Sequence, residues 1–158
     1  MSKTLFRLIV RVAFILIAAF LIKNFFIHPF LTFDSGMAPS LKENRIYFIN
    51  KLIYRLRSPD RKEIIFFRTT EDPPLFFIGR IVGLPGETFK IKKGRVFING
   101  DPLKEDYTQL NLNWNLKERQ IERKCFYVLG DSRQMDLANH LHAQVAGKNI
   151  LGKVMGRR

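Results

Sequence analysis

The stretch from Leu5 to Phe30 constrains this chain most. It is dominated by Leu, Ile, Val, Ala and Phe, and no acidic residue occurs before Asp34. Its uninterrupted apolar core, Val12 to Ile22, is short. Leu8-Ile9-Val10 precede the core, and Phe25-Phe26-Ile27 extend it beyond Lys23 and Asn24. Spanning ~30 Å of hydrocarbon takes ~20 helical residues. Leu8 to Ile27 supplies that length if Arg11 and Lys23 snorkel toward opposite interfaces. A cleavable signal peptide is the competing reading, because a short apolar core behind basic residues suits one. Large residues follow the core, however, where cleavage wants a small-x-small site, so an uncleaved anchor is expected. Lys3, Arg7 and Arg11 lie before the core, and the positive-inside rule then puts the N-terminus in the cytoplasm and the body on the exported face. Pro29 is expected to end the helix and open an extended entry into the rest of the chain.

Beyond residue 31 the hydrophobic period is that of strands. Arg45 to Ile49, Glu63 to Arg68 and Leu75 to Ile78 are short apolar or aromatic runs. Thr88 to Lys92 alternates, Lys93-Gly94 turns into Arg95 to Ile98, and Asn99-Gly100 closes that run with a strong hairpin dipeptide. No long helical period appears outside the anchor, and the polar stretch Lys104 to Lys124 reads as a long loop. The expectation is a mainly β protein: residues 1–30 form a cytoplasmic tip and one transmembrane helix, and residues 31–158 form a small antiparallel β domain.

Fifteen Phe and 46% apolar residues suffice for a core. The net charge of +13, from 27 Lys+Arg against 14 Asp+Glu, suits an anionic membrane face. The basic residues are scattered and no nucleic-acid motif appears, so nucleic acid is not expected as a partner. The lone Cys125, in the run Cys125 to Leu129, reads as a packed apolar residue. His140 and His142, two apart, suggest a metal pair but lack a third ligand. Solvated surface histidines are the simpler reading, and no metal or cofactor is expected.

Several motifs occur in order: Ser35-Gly36-Met37-Ala38-Pro39-Ser40-Leu41, then Arg80-Ile81-Val82-Gly83-Leu84-Pro85-Gly86-Glu87, Gly94 to Gly100, Leu129-Gly130-Asp131-Ser132-Arg133, and Gly152-Lys153-Val154. Together they resemble the bacterial type I signal peptidases (peptidase S26), over nearly the whole chain. The resemblance implies a serine endopeptidase framework that removes signal peptides from exported preproteins. In that family the residue before the Met of the first motif is the nucleophilic Ser, and the residue before the Arg of the second is the Lys that serves as its base. Here both positions are glycine, Gly36 and Gly79. The adjacent Arg80 cannot replace the Lys, since a guanidinium stays protonated.

The expectation that follows is a signal peptidase homologue without its Ser/Lys dyad, a pseudoenzyme. Ser35 is the fallback nucleophile: it aligns if one residue is deleted before Met37, and it otherwise reads as a turn hydroxyl. A Ser35–His140 arrangement is a further geometric option. Ser40 is expected to cap local backbone. The family's supporting positions appear as Asp136, Ala138 and His140, while Asp131 reads as a turn carboxylate and Arg133 as an ion-pair partner. The family binds its substrate as an added strand. The matching peptide-binding stretches are Phe33, Asp34, Ser35 and Met37, with Phe76, Phe77 and Ile78. Expected partners are membrane lipid, an exported preprotein or signal peptide, and an active relative in the same membrane.

Overall fold

The computed structural model describes residues 3–21, 27–32, 35–110, 114–133 and 142–156. Helix α1, Lys3–Leu21, is 19 residues long, or roughly 28 Å at 1.5 Å per residue. Its side chains from Lys3 to Phe20 are exposed apart from half-buried Ala18. Among the described residues, no helix is long and apolar enough to cross a membrane. Lys3, Arg7 and Arg11 recur every fourth residue and therefore share one face.

The end of the expected span is corrected. Ile27 belongs to strand β1, Ile27–Leu31, not to the helix. Pro29, expected to stop the helix, lies inside that strand opposite Phe48. An edge strand tolerates Pro because one side of it needs no ladder donor, and β1 is such an edge.

The remaining elements are β2 (Ile46–Asn50), α2 (Ile53–Leu56), β3 (Ile64–Arg68), β4 (Phe76–Gly83), β5 (Thr88–Lys92), β6 (Arg95–Ile98), β7 (Asp101–Pro102), β8 (Gln109–Leu110), β9 (Leu116–Gln120), β10 (Cys125–Leu129), β11 (Ser132–Arg133), β12 (His142–Ala146) and β13 (Ile150–Met155). A 7-stranded sheet has the order β1-β2-β13-β3-β4-β10-β12, and a 4-stranded sheet has the order β7-β6-β5-β9. Every pairing in these two sheets is antiparallel. Among the described residues only the short β8–β11 pair is parallel. The mainly β, antiparallel architecture is therefore as the alternation predicted.

Both expected hairpins form. Lys93 and Gly94 have φ of 49° and 72°, and Asn99 and Gly100 have φ of 51° and 91°. Two successive positive φ values give the turn whose twist matches flanking strands. The stretch Lys104 to Lys124 is not one loop, for it holds β8 and β9 and buries Trp114 and Ile121. Strand β9 escaped the pattern because it is a sheet edge whose last four residues, Lys117 to Gln120, are all exposed.

Three apolar clusters hold the body together. Val82, Phe89, Tyr127 and Leu129 belong to the one that joins the two sheets, with the Phe89 and Tyr127 rings stacked at 3.8 Å. On one face of the large sheet lie Ile65, Phe67, Ile81 and Val128, with Phe77 against them. A third cluster gathers Met37, Leu41, Ile49, Phe66, Ile78 and Val154. Alternation along β4 explains the split: Ile78, Arg80 and Val82 face one way, and Phe77, Gly79 and Ile81 face the other.

Charge fixes α2 to this body. Glu63 accepts from Tyr54 Oη at 3.1 Å, from Arg57, from the Asp60 N–H at 3.0 Å and from Lys153 Nζ at 2.7 Å. Burial opposes its charge, but the hydrogen bonds from Arg57, Asp60 and Lys153 outweigh it and bring the carboxyl from 4.5 down to about 2. A depressed carboxyl contributes stability that is whole above its unfolded value and lost as pH falls through its folded one. The urea midpoint should therefore drop between pH 4.5 and about 2, and Glu63→Gln should flatten that part of the profile. An unchanged acid limb in the variant would remove Glu63 as its source.

Candidate functional site

The site grows from the turn after β1. Thr32 closes the entry: its N–H donates to the Arg45 carbonyl at 3.1 Å and its hydroxyl to the Lys42 carbonyl at 2.8 Å. Within the turn, the Ala38 N–H donates to the Ser35 carbonyl at 2.9 Å and the Leu41 N–H to the Met37 carbonyl at 2.9 Å. Gly36 therefore sits in a compact turn, and its carbonyl accepts from the Ser132 N–H at 3.1 Å. Gly79 lies buried within β4, opposite Ile65 of β3.

Their neighbours bring the two glycine segments together. Met37, one residue after Gly36, and Ile78, one before Gly79, are buried in the same cluster. Arg80, which follows Gly79, is 8% exposed. Its Nε donates to Asp131 Oδ1 at 2.7 Å and its Nη2 to Asp131 Oδ2 at 2.5 Å. The same guanidinium donates to the Lys62 carbonyl at 2.7 Å and to Ser40 Oγ at 2.9 Å. It also lies 4.1 Å from the Tyr107 ring centroid. A charge removed from water is tolerated only with such a full set of partners.

A second buried pair stands beside the first. Arg133, 2% exposed, donates to both carboxylate oxygens of Glu105. Tyr107 Oη donates to Glu105 Oε1 at 3.0 Å and so links the two pairs. Burial first, and then the Glu105 charge, push the Tyr107 phenol above its ordinary range, so it remains a donor.

Two residues gain partners that the sequence did not foretell. The Asp131 carboxylate accepts from Arg80. Ser40 Oγ accepts from Arg80 as well. Both partners are distant in sequence, and local spacing gives no sign of them. Arg133 is an ion-pair partner as expected, to a Glu105 that the sequence left unassigned.

Of the peptide-binding residues, Ser35 begins the turn and is half-buried, Met37 and Ile78 are buried, Phe77 is half-buried and Phe76 is 50% exposed. Phe33 and Asp34 lie outside the described residues, as do Asp136, Ala138 and His140. His142 opens β12, and His28 is exposed on β1. Among the described residues, no group of three or more His, Cys, Asp or Glu could hold a metal ion. On the side of β4 away from β3, pairing with β10 begins only at Arg80, so Phe76 to Gly79 have one strand partner among the described residues. The outer side of β1 is likewise a sheet edge. Strand edges of this kind accept an extended peptide.

The family model described as signal peptidase, peptidase S26, matches residues 5–157. Signal peptidase I of Leptolyngbya laminosa is 36% identical over 131 residues, which are 78% of this chain and 64% of that protein. A probable signal peptidase I-2 of a Synechocystis strain is 33% identical over 129 residues, 78% of this chain and 59% of its own. Signal peptidase I P of Bacillus subtilis subsp. natto is 31% identical over 137 residues, 79% of this chain and 73% of its own. The chain thus spans less than two thirds of the length of the first two relatives. A solved signal peptidase I from Enterococcus faecalis V583 is 24% identical, with a TM-score of 0.48, covering 63% of this chain and 98% of that one. With Gly36, Gly79 and the Arg80–Asp131 pair all inside the matched residues, this chain belongs to the signal peptidase family, peptidase S26.

Proposed function

We propose that this protein is a membrane-anchored signal peptidase homologue that binds exported peptides, or an active relative, without cleaving. The observation that carries this is the pair Gly36 and Gly79. Both positions that bear the reacting side chains in the family have none here, within segments still held by Met37–Ile78 packing and by the Arg80–Asp131 pair.

The anchor is the N-terminal segment. Exposed Leu, Ile, Val and Phe along α1 suit lipid. Lys3, Arg7 and Arg11 lean toward the helix N-terminus, as helical side chains do, and reach a cytoplasmic interface. The β body then stands on the exported face. An extended peptide would lie along the free side of Phe76 to Gly79 and the edge of β1, with Ser35 and Met37 at its end, and Phe33 and Asp34 complete the stretch by sequence.

The test is a signal-peptide-bearing preprotein presented to the detergent-purified full-length protein, with both cleavage and photocrosslinking read. Crosslinks on the segments of Met37 and Phe77 with no cleavage are expected. Cleavage that disappears in Ser35→Ala would replace this reading by an active peptidase using Ser35. Absence of both signals would leave a framework that has lost its peptide site.

A further inference from the structure

A concave feature opens where β1 and β4 begin, and its Phe76 and β1 residues also border the edge proposed above for the peptide. Its volume is about 580 Å³, within the ~300–1,000 Å³ usual for small-molecule sites. The floor is aromatic: Phe30 and Phe66 have ring centroids 4.9 Å apart, and Phe66 stacks on Phe76 at 5.7 Å. The rim carries the cations Lys51 and Arg55 beside His28, and no Asp or Glu lines the pocket. Lys51 and Arg55 make no ion pair among the described residues, although Arg57, Arg61, Arg80 and Arg133 of the same body all do. Two unneutralised cations above an aromatic floor fit a ligand with an anionic head and an apolar tail.

The place of the pocket favours lipid as the source. Leu21 ends the described part of α1, and His28 is on the pocket rim. Even fully extended, the link between them spans at most roughly 25 Å, so the pocket stays close to wherever the end of α1 lies. We propose that the pocket holds one anionic phospholipid, its phosphodiester between Lys51 and Arg55 and an acyl chain across Phe30, Phe66 and Phe76. This rests on the anchor reading, with the C-terminal end of α1 at the exported leaflet.

The test has two arms. In the first, the full-length chain is reconstituted in phosphatidylcholine vesicles containing a trace of photoactivatable phosphatidylglycerol or phosphatidylcholine, and labelled residues are mapped by mass spectrometry. Phosphatidylglycerol should label the segments of Phe30, Phe66 and Phe76 roughly 30-fold more than phosphatidylcholine does, an effect of the size expected from two basic side chains. Lys51→Gln/Arg55→Gln should abolish that preference and leave labelling of α1 unchanged. Labelling of α1 by both lipids reports the anchor separately.

In the second arm, monomeric dihexanoyl phosphatidylglycerol, its phosphatidylcholine counterpart and inorganic phosphate are compared by native mass spectrometry, independently of any membrane. Retention of the glycerol lipid alone, lost in the double variant, is expected. Equal retention of both lipids, no effect of the substitutions, or displacement by phosphate as effective as by lipid would each overturn the proposal. Displacement by a synthetic signal peptide with no lipid preference would assign the pocket to peptide instead.

Discussion

If the proposed reading holds, the variant Gly36→Ser/Gly79→Lys is expected to cleave a preprotein under conditions in which the unmodified chain is expected to stay silent, with a rate gain on the order of 10³. Gly86, Gly94 and Gly100 are the glycines at positive φ, and Gly36 and Gly79 are not among them. A side chain at position 79 would share the face of Phe77 and Ile81, against a cluster that includes Phe67 and Val128. Burial there penalises an ammonium and lowers its pKa toward neutrality, which is what a lysine base needs. Each single substitution should stay silent, because a hydroxyl without a base is a poor nucleophile and a base without a nucleophile has nothing to activate. Rates are read by single-turnover cleavage, with Ser35→Ala in the double background expected to change nothing. A folded double variant without activity would mean that the supporting residues around the dyad positions have drifted as well.

Asp131→Ala is expected to cost about 3–5 kcal/mol, a large part of the ~5–15 kcal/mol that holds a domain folded. The side chain is fully buried and receives two hydrogen bonds from Arg80. Without it, the Arg80 charge keeps, among the described residues, the Lys62 carbonyl, Ser40 Oγ and the Tyr107 ring. Arg80→Met/Asp131→Leu should cost less than Asp131→Ala, since removing both charges leaves none buried and unpaired. Urea midpoints of the three proteins check the order. A loss below ~1 kcal/mol for Asp131→Ala would show that the pair is a tolerated charge and not an organiser of the site.

The framework was legible where spacing alone carries the signal. Alternation in Thr88 to Lys92 and the dipeptides Lys93-Gly94 and Asn99-Gly100 foretold β5, β6 and their turns, because a strand's two-residue period and a turn's positive φ are local properties. Polar β9 was invisible because an exposed edge strand needs no apolar face. The apolar run into Ile27 suggested more helix, yet Ile27 opens an edge strand, a choice decided by pairing with β2. Hydropathy does not encode that partner.

The sequence by itself determined the family, the antiparallel β character and the missing side chains at positions 36 and 79. A glycine's inability to act as nucleophile or base is chemistry that needs no coordinates. Tertiary structure decided what Ser40, Glu105, Tyr107 and Asp131 do. Arg80 and Asp131 are 51 positions apart, and Arg133 and Glu105 are 28 apart. A buried charge takes whichever partner the packed sheets deliver to it, and no local pattern records that choice.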